Sequence, residues 1–242
     1  MLSILLLAMM NVEDVPYEVV TLSERSKQAS SAPAGYPKTW VEHIQIVRGT
    51  APEDNDFSEA MRQSAVVLLR EFYDDDFPSS FEEYSEAGSV DVSQTLEAIS
   101  PDLVSVSLVM SYYRAGAPHG QMGGSKHVIW SRRLNRPLRQ GDVFAVPPDK
   151  ALRRLALSNF DNSENLQFVD PDSIPLDWDQ ASIGPNGISW SFNPYELGGY
   201  TSGGRATIPW SALKLYLRRD LPFLIEDIRA VPTNYNNADD AQ

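Results

Sequence analysis

Cysteine is absent from the 242-residue sequence, so disulfide bonds, thiolate metal sites and a cysteine nucleophile are excluded. Histidine is scarce, and its three residues are His43, His119 and His127. A zinc site needs three or four ligands at workable spacing, and the interval between His119 and His127 matches no ligand motif. His43 lies on a predicted strand whose neighbour Glu42 points to the other face. The sequence therefore predicts no metal and no other cofactor.

Long apolar runs are also missing. No segment approaches the roughly 18 consecutive apolar residues that a membrane-spanning helix needs. Basic residues are outnumbered, with 20 Lys and Arg against 33 Asp and Glu, which gives a net charge of −13. This balance argues against a general nucleic-acid binder, because neutralising phosphates requires clustered cations. Hydrophobic residues make up 42% of the chain, a proportion typical of a globular protein.

The charge is unevenly distributed along the chain. Residues 50–100 have a net charge of −11 and residues 161–242 a net charge of −7, whereas residues 101–160 have a net charge of +6. Two interpretations follow from this pattern. The basic segment either pairs with its own acidic flanks or forms one basic face, for a ligand or partner, on an acidic body.

Hydrophobic periodicity predicts both strands and helices. Strands are expected over residues 40–47, 102–113, 127–133, 187–193 and 206–208. Helices are expected over residues 57–73, 150–160 and 209–217, the second of them capped by Asp149. The strand over 102–113 has one apolar face and one almost entirely hydroxyl face, which indicates a sheet with one covered and one wetter side. We predict an α+β fold with a mostly antiparallel sheet and helices packed on one face.

The two ends of the chain differ in composition from its centre. Residues 2–10 form an apolar run that is similar to the core of a signal peptide, the alternative being a short N-terminal strand or helix. Residues 23–37 are rich in Ser, Ala, Pro and Gly and predict a linker. Residues after about 231 are polar, and we expect a frayed tail.

Catalytic motifs are weak throughout the sequence. Gly124-Ser125 lacks the trailing glycine of a nucleophile elbow, and Ser211 with Lys214 has the Ser-x-x-Lys spacing without its companion motifs. No glycine-rich segment has nucleotide-binding spacing. Several carboxylates occur in pairs, and a glycosidase needs two of them across a sugar. The pairs are Glu82-Glu83, Asp170 with Asp172, and Asp177 with Asp179. We predict a non-enzymatic protein and retain a carboxylate-dependent hydrolase as an alternative.

Four blocks of sequence occur in an order known from one bacterial family. They are Tyr112–Gly120, Trp130–Phe144, Phe192–Tyr200 and Ile208–Leu213. Together they resemble an extracytoplasmic domain of unknown function, the DUF3298 type. This domain is found in lysozyme-sensing anti-sigma factors and in some peptidoglycan deacetylases, where a DUF4163-like segment precedes it.

The resemblance implies a division of the chain and a location. Residues 1–37 would be a truncated export signal and linker, and residues 38–100 the N-terminal partner segment. Residues 101–222 would be the DUF3298-like domain, and residues 223–242 a polar tail. An exported, periplasmic protein of the cell envelope is expected.

The resemblance also implies a function in binding. The ligand would be peptidoglycan or a glycan-cleaving enzyme such as lysozyme, and no nucleic-acid or membrane-spanning role is expected. The loops 114–124 and 194–204 would form the rim of the site. The predicted ligand-binding residues are Arg114, His119, Tyr195, Glu196 and Tyr200. A structural module that associates through its aromatic residues is a further alternative.

Overall fold

The computed structural model describes residues 15–75, 86–116, 121–161, 170, 172, 174–193, 197 and 204–232. Its principal strands are β1 (Tyr17–Gln28), β2 (Thr39–Gly49), β3 (Gly88–Ile99), β4 (Leu103–Arg114), β5 (Gln121–Ser131), β6 (Arg136–Pro137), β7 (Ala181–Gly184), β8 (Gly187–Phe192), β9 (Gly204–Pro209) and β10 (Arg229–Ala230). Its α-helices are α1 (Asn55–Asp75), α2 (Gln140–Val143), α3 (Lys150–Ser158) and α4 (Trp210–Leu213). The α+β class and the mostly antiparallel sheet are confirmed.

The larger sheet has seven strands in the order β1-β2-β3-β4-β5-β6, with β10 added beside β3. All its pairings are antiparallel except that of β2 with β3, which is parallel. Parallel neighbours require a crossover connection. Helix α1 lies within that connection and packs against β2. The predicted boundary between residues 100 and 101 falls between the adjacent strands β3 and β4.

One face of the larger sheet is covered by α1. The helix buries a row of apolar side chains at helical spacing against the apolar residues of β2, β3 and β4. The row consists of Phe57, Met61, Ala65, Leu68 and Leu69. The opposite face of β4 presents Ser107 and Ser111, with Val109 between them 42% exposed. The prediction of one covered and one wetter side is therefore confirmed away from the region where a second sheet packs.

The second sheet has three antiparallel strands in the order β7-β8-β9. Strand β7 packs across β3, β4 and β5, on the side of the larger sheet that carries Ser105. The buried core between them includes Leu103, Ile129, Ile183 and Trp190. Helix α3 packs on β9 and begins at Asp149, whose carboxylate accepts a hydrogen bond from the Leu152 amide at 2.9 Å. The predicted capping role of Asp149 is confirmed.

The structure corrects the linker prediction. Residues 17–28 form β1, which pairs with β2 from Tyr17 opposite Gly49 to Gln28 opposite Thr39. The prediction was wrong for residues 23–28 because β1 is an edge strand whose second half is mostly exposed. An exposed edge strand has the polar composition of a linker, and only its backbone hydrogen bonds distinguish the two.

The polar-tail prediction over 223–242 is also corrected in its first part. Phe223, Ile228 and Val231 are buried, and β10 pairs with the end of β3. These apolar residues follow neither helical nor strand periodicity, so the sequence pattern did not reveal them. The predicted helix over 209–217 is shorter, since α4 ends at Leu213 and Leu217 then bridges to Phe144.

The acidic flanks neutralise much of the basic segment. Of its nine Lys and Arg residues, five lie within 4.0 Å of a carboxylate from residues 50–100 or 161–242. The five are Arg114, Lys126, Arg132, Lys150 and Arg154. Just over half of the segment's cations therefore pair with the flanks. Three of the other four, Arg133, Arg136 and Arg139, lie near a single cleft.

Replacing Asp149 by alanine should destabilise the protein by about 1 kcal/mol, because the first turn of α3 would lose its side-chain cap. Urea denaturation followed by circular dichroism measures this change. The exposed Glu53→Ala is the matched control and should leave the midpoint nearly unchanged. Equal midpoints for wild-type and Asp149→Ala would contradict the capping role.

Candidate functional site

An open cleft of about 480 Å³ lies where the β1–β2 connection meets the start of β3 and the end of β4. Ser31 and Pro33 line it from the connection, Glu86 from the chain before β3, and Arg114 and Gly116 from the end of β4. These segments are joined by main-chain contacts. The Ala87 amide donates to the Ser31 carbonyl at 3.1 Å, and the Ala115 amide donates to the Ala87 carbonyl at 2.9 Å. We call this the Arg114 cleft.

An ion pair lines the Arg114 cleft. The Arg114 guanidinium contacts the Glu86 carboxylate, and both side chains remain accessible, at 51% and 42% exposure. An exposed pair of this kind adds little stability, because solvent screens it. Both charged groups are exposed enough to contact a polar ligand, the guanidinium a carboxylate and the carboxylate a hydroxyl donor.

Two tyrosines belong to the segments that line the cleft. Tyr113 precedes Arg114 on β4, and Tyr36 follows the turn at Pro33, where its amide donates to the Pro33 carbonyl at 3.2 Å. Desolvation and the neighbouring Tyr36 hydroxyl together raise the pKa of Tyr113 above its usual 10.0. Tyr36 is 43% exposed. Neither tyrosine is among the lining residues, but Tyr36 lies three residues after Pro33, which lines the cleft, and its exposed ring is a surface on which a sugar ring can stack.

The turn after β4 requires a glycine. Gly116 has φ +81°, in the left-handed region, and a Cβ there would lie 2.5 Å from the Pro33 ring. A side chain at position 116 would therefore be strained and would push the two walls of the cleft apart.

Arg114 is the one predicted contact residue that lies within the described part of the chain. The other four, His119, Tyr195, Glu196 and Tyr200, lie outside the described residues, as do parts of both predicted rim loops. Glu86 and Tyr36 were not predicted. Both occur in polar segments, which was their only signal in the sequence. Tyr36 lies within residues 23–37, the predicted linker.

Two of the paired carboxylates, Asp172 and Asp179, lie close to basic side chains. Asp172 is held by Lys150 at 2.7 Å and Arg154 at 3.3 Å, and the hydrogen bond from Lys150 lowers its pKa. A carboxylate held ionised in this way is a poor proton donor to a leaving group. Asp179 lies 3.9 Å from Lys126, and Glu82-Glu83 lies outside the described residues.

Neither described histidine belongs to a metal site. His43 Nδ1 lies 2.9 Å from Asp91 Oδ2 across adjacent strands of the wetter face. His127 is buried between the two sheets. Across the described ranges, no group of three or more His, Cys, Asp or Glu side chains converges to hold a metal ion. Within the same ranges, no helix has the length and apolarity needed to cross a membrane.

A buried polar seam joins the two sheets at His127. Its Nε2 lies 3.1 Å from Ser191 Oγ on β8, and its Nδ1 lies 3.4 Å from Glu97 Oε2 on β3. Glu97 also faces Arg205 of β9, with 3.5 Å between Oε1 and Nη1, and Arg205 Nη2 donates to Ser182 Oγ at 2.5 Å. We call these five residues the polar seam.

The order Ser191, His127, Glu97 is that of a nucleophile, a base and a carboxylate. The His127 side chain, however, is only 2% exposed, and none of the three residues lines a described cleft. A nucleophile requires room for a substrate carbonyl beside it. We therefore assign the polar seam a structural role, in which Ser191 of β8 and Arg205 of β9 face His127 and Glu97 of the larger sheet. The pairing is incomplete, since His127 Nδ1, Glu97 Oε2 and Arg205 Nε form no hydrogen bond among the described residues.

The surroundings of Glu97 set its ionisation. Burial acts to raise its pKa, whereas His127, Arg205 and Ser182 act to lower it, and the net direction is downward from 4.5. A carboxylate with a depressed native pKa adds stability above its unfolded pKa and loses that contribution as the pH falls through the native pKa.

Glu97→Gln should therefore destabilise the protein by about 1–3 kcal/mol at pH 7, because it removes the charge that faces Arg205. The variant should also lose less stability than the wild type as the pH falls below 4.5, the ordinary pKa of the carboxyl group. Chemical denaturation from pH 7 to pH 3 measures both effects.

The matched control is Glu59→Gln. The pKa of Glu59 is also lowered, to about 2, by hydrogen bonds from Arg62 and Gln63, but the group is fully exposed. Because solvent screens an exposed pair, this variant should change stability little. An equal effect of the two substitutions would contradict the stabilising role of the polar seam.

Comparison with known proteins identifies the fold. No family model and no curated protein matches the chain. Two solved structures share its architecture. The crystal structure of a DUF3298 family member from Bacteroides fragilis NCTC 9343 has 12% sequence identity and a TM-score of 0.59, and the match covers 87% of this chain and 96% of that one. A DUF3298 family protein from Pseudomonas aeruginosa PAO1 has 17% identity and a TM-score of 0.62, covering 87% and 98%.

These likenesses extend over nearly the whole of both related chains. At such identities they show a shared fold and no more. The DUF3298 part of the resemblance is thereby confirmed at the level of the fold. The DUF4163-like segment and the anti-sigma or deacetylase context remain predictions.

Proposed function

We propose that the protein is a non-catalytic, exported module of the bacterial cell envelope that binds peptidoglycan at the Arg114 cleft. The observation on which this depends is the Arg114–Glu86 ion pair together with the partly exposed Tyr36 and its neighbour Tyr113. A periplasmic location and a binding role are those expected from the DUF3298 resemblance.

The chemistry of the cleft suits a glycan that bears carboxylates. Peptidoglycan combines sugar rings, which stack on aromatic side chains, with the carboxylates of its peptide stems. Tyr36 offers the ring surface, Arg114 offers a cation for a carboxylate, and Glu86 offers an acceptor for sugar hydroxyls. An open cleft with two charged side chains suits a polymer strand better than a small apolar ligand.

Arg114→Ala and Tyr36→Ala should each weaken binding to purified sacculi about tenfold, which corresponds to about 1.4 kcal/mol. Co-sedimentation with sacculi over a range of protein concentrations measures the affinity. Arg62→Ala is the control, because Arg62 forms an equally exposed ion pair with Glu59 on α1. Wild-type protein that stays in the supernatant, or full binding by both cleft variants, would refute the proposed ligand.

A lysozyme-like enzyme is the second candidate ligand, and the net charge of −13 favours it. Such an enzyme is cationic, so an acidic surface would speed its encounter in a salt-dependent way. Titration calorimetry with lysozyme at low and high salt tests this candidate. Saturable binding that weakens with salt and survives Arg114→Ala would place the partner on the acidic surface. Absence of heat at micromolar concentrations would eliminate it.

A further inference from the structure

A second cleft, of about 450 Å³, lies at the opposite end of β5 from the Arg114 cleft. We propose that this cleft binds a compact dianion of the phosphate class, either free phosphate or a phosphate ester. Arg133, Arg136 and Arg218 line it together with Asp142 and Asp220. We call it the arginine cleft.

Three separate parts of the chain build the arginine cleft. Arg133 lies in the turn between β5 and β6, and Arg136 opens β6. Asp142 lies in α2, and Arg218 follows the bridge between Leu217 and Phe144. The Arg218 amide donates to the Val143 carbonyl at 2.9 Å, which fixes this segment beside α2. The turn itself is fixed by Asn135, whose φ of +48° reverses the chain.

Two of the guanidinium groups are held in place before any ligand arrives. Arg136 donates two hydrogen bonds to Asp142, at 2.7 and 2.8 Å, and a third to the Pro137 carbonyl at 2.9 Å. Arg218 donates two to Asp220, at 3.0 and 2.9 Å. Fork-to-fork pairs of this kind fix the plane of each guanidinium. A ligand that uses their remaining N–H groups therefore loses less conformational entropy on binding.

The charge around this cleft is positive on a protein that is strongly negative. Arg133, Arg136 and Arg218 line it, and Arg139 adds a fourth cation whose charge acts on Asp142. Three carboxylates oppose these four, namely Asp142 and Asp220 in the lining and Asp56, which accepts a hydrogen bond from Asn135 of the same turn at 2.5 Å, so that an excess of one positive charge remains. The hydrogen bond from Arg136 lowers the pKa of Asp142 to about 2, so the charge balance stays the same at any ordinary pH.

Arg133 is the residue that points most directly to a ligand. Its side chain is exposed at the cleft, and within the described part of the chain it has neither an ion pair nor a hydrogen bond. The basic segment as a whole is otherwise largely neutralised by carboxylates. Arg133 is therefore the third cation of the proposed anion site, beside the two fixed guanidinium groups of Arg136 and Arg218.

The number of guanidinium groups selects the ligand class. A phosphate group has a charge of about −1.5 to −2 near neutral pH and three acceptor oxygens, whereas a single carboxylate has a charge of −1. The three oxygens of a phosphate can accept from Arg133, Arg136 and Arg218 at once, one from each guanidinium group. Leu134 and Pro222 supply an apolar edge against which the remainder of an ester could lie.

Titration calorimetry with inorganic phosphate and with glycerol phosphate is the direct test. Wild-type protein should bind both saturably, and Arg133→Ala and Arg218→Ala should each lower the affinity at least tenfold. Arg70→Ala is the matched control, since Arg70 is an exposed arginine of α1 that lines none of the described clefts. No saturable heat with wild-type protein, or an equal loss in Arg70→Ala, would overturn the proposal.

Two further measurements separate ligand binding from a purely structural role. Asp220→Asn removes one opposing charge and should tighten phosphate binding, which loss of a structural ion pair would not do. Lowering the pH to 5 should weaken phosphate binding, as the ligand loses its second charge, and should leave sulfate binding unchanged. Weaker binding by Asp220→Asn, or the same pH dependence for both anions, would contradict recognition of a dianion.

The source of the phosphate group is decided by a comparison of soluble and membrane ligands. Vesicles that contain phosphatidic acid, set against vesicles of a neutral lipid, report headgroup binding. Capture by the first alone, abolished by Arg133→Ala, would identify a lipid headgroup. Binding of soluble glycerol phosphate without vesicle capture would identify a free or polymer-linked ester. Arg133→Ala should not affect sacculus binding at the Arg114 cleft, so the two proposals fail independently.

Discussion

The buried imidazole of His127 is the constraint on which the arrangement of the two sheets depends. Its two ring nitrogens face Glu97 on β3 of the larger sheet, at 3.4 Å, and Ser191 on β8 of the smaller one, at 3.1 Å. Arg205 and Ser182 extend the same contact to β9 and β7. If the smaller sheet shifted by one residue, its inward side chains would point outward and the polar seam would lose its partners. The polar seam therefore fixes both the register and the position of the second sheet.

The two clefts lie far apart, at opposite ends of the paired strands β4 and β5. Strand β4 runs from Leu103 to Arg114, and β5 returns antiparallel to Ser131, opposite Leu103. At about 3.3 Å per residue the two ends of these strands are roughly 35 Å apart. The Arg114 cleft lies at one end and the arginine cleft at the other, so each can bind its ligand without contacting the other's. Helix α2 and the segment from Arg218 to Pro222 complete the second cleft, which explains why its residues come from three parts of the chain.

Local sequence patterns predicted the elements whose burial is periodic. Helix α1, β4 and β8 have strict apolar spacing, and Asp149 has the cap chemistry that its position requires, so these were found. Strand β1 was missed because an edge strand is held by backbone pairing and needs few apolar side chains. Most residues of the two clefts were missed because pairing between strands, and no local pattern, brings them together. Glu86 and Arg114 come together only through the pairing of β3 with β4, and no pattern within either segment records that contact.

The charge distribution shows what composition alone can predict about the pairing of charged residues in this protein. The sequence left two interpretations of the basic segment open, pairing with its acidic flanks or a basic face. The structure shows pairing for five of the segment's nine cations and leaves Arg133 without a carboxylate partner among the described residues. The five that pair with acidic flanks are Arg114 and Lys126 on the strands, Arg132 at the start of the β5–β6 turn, and Lys150 and Arg154 on α3. The turn around Arg133 projects beyond the end of the sheet, where no flanking carboxylate among the described residues pairs with it. Arg133 is therefore the cation of this turn that keeps no carboxylate partner among the described residues, and its exposed guanidinium is accessible to an anion.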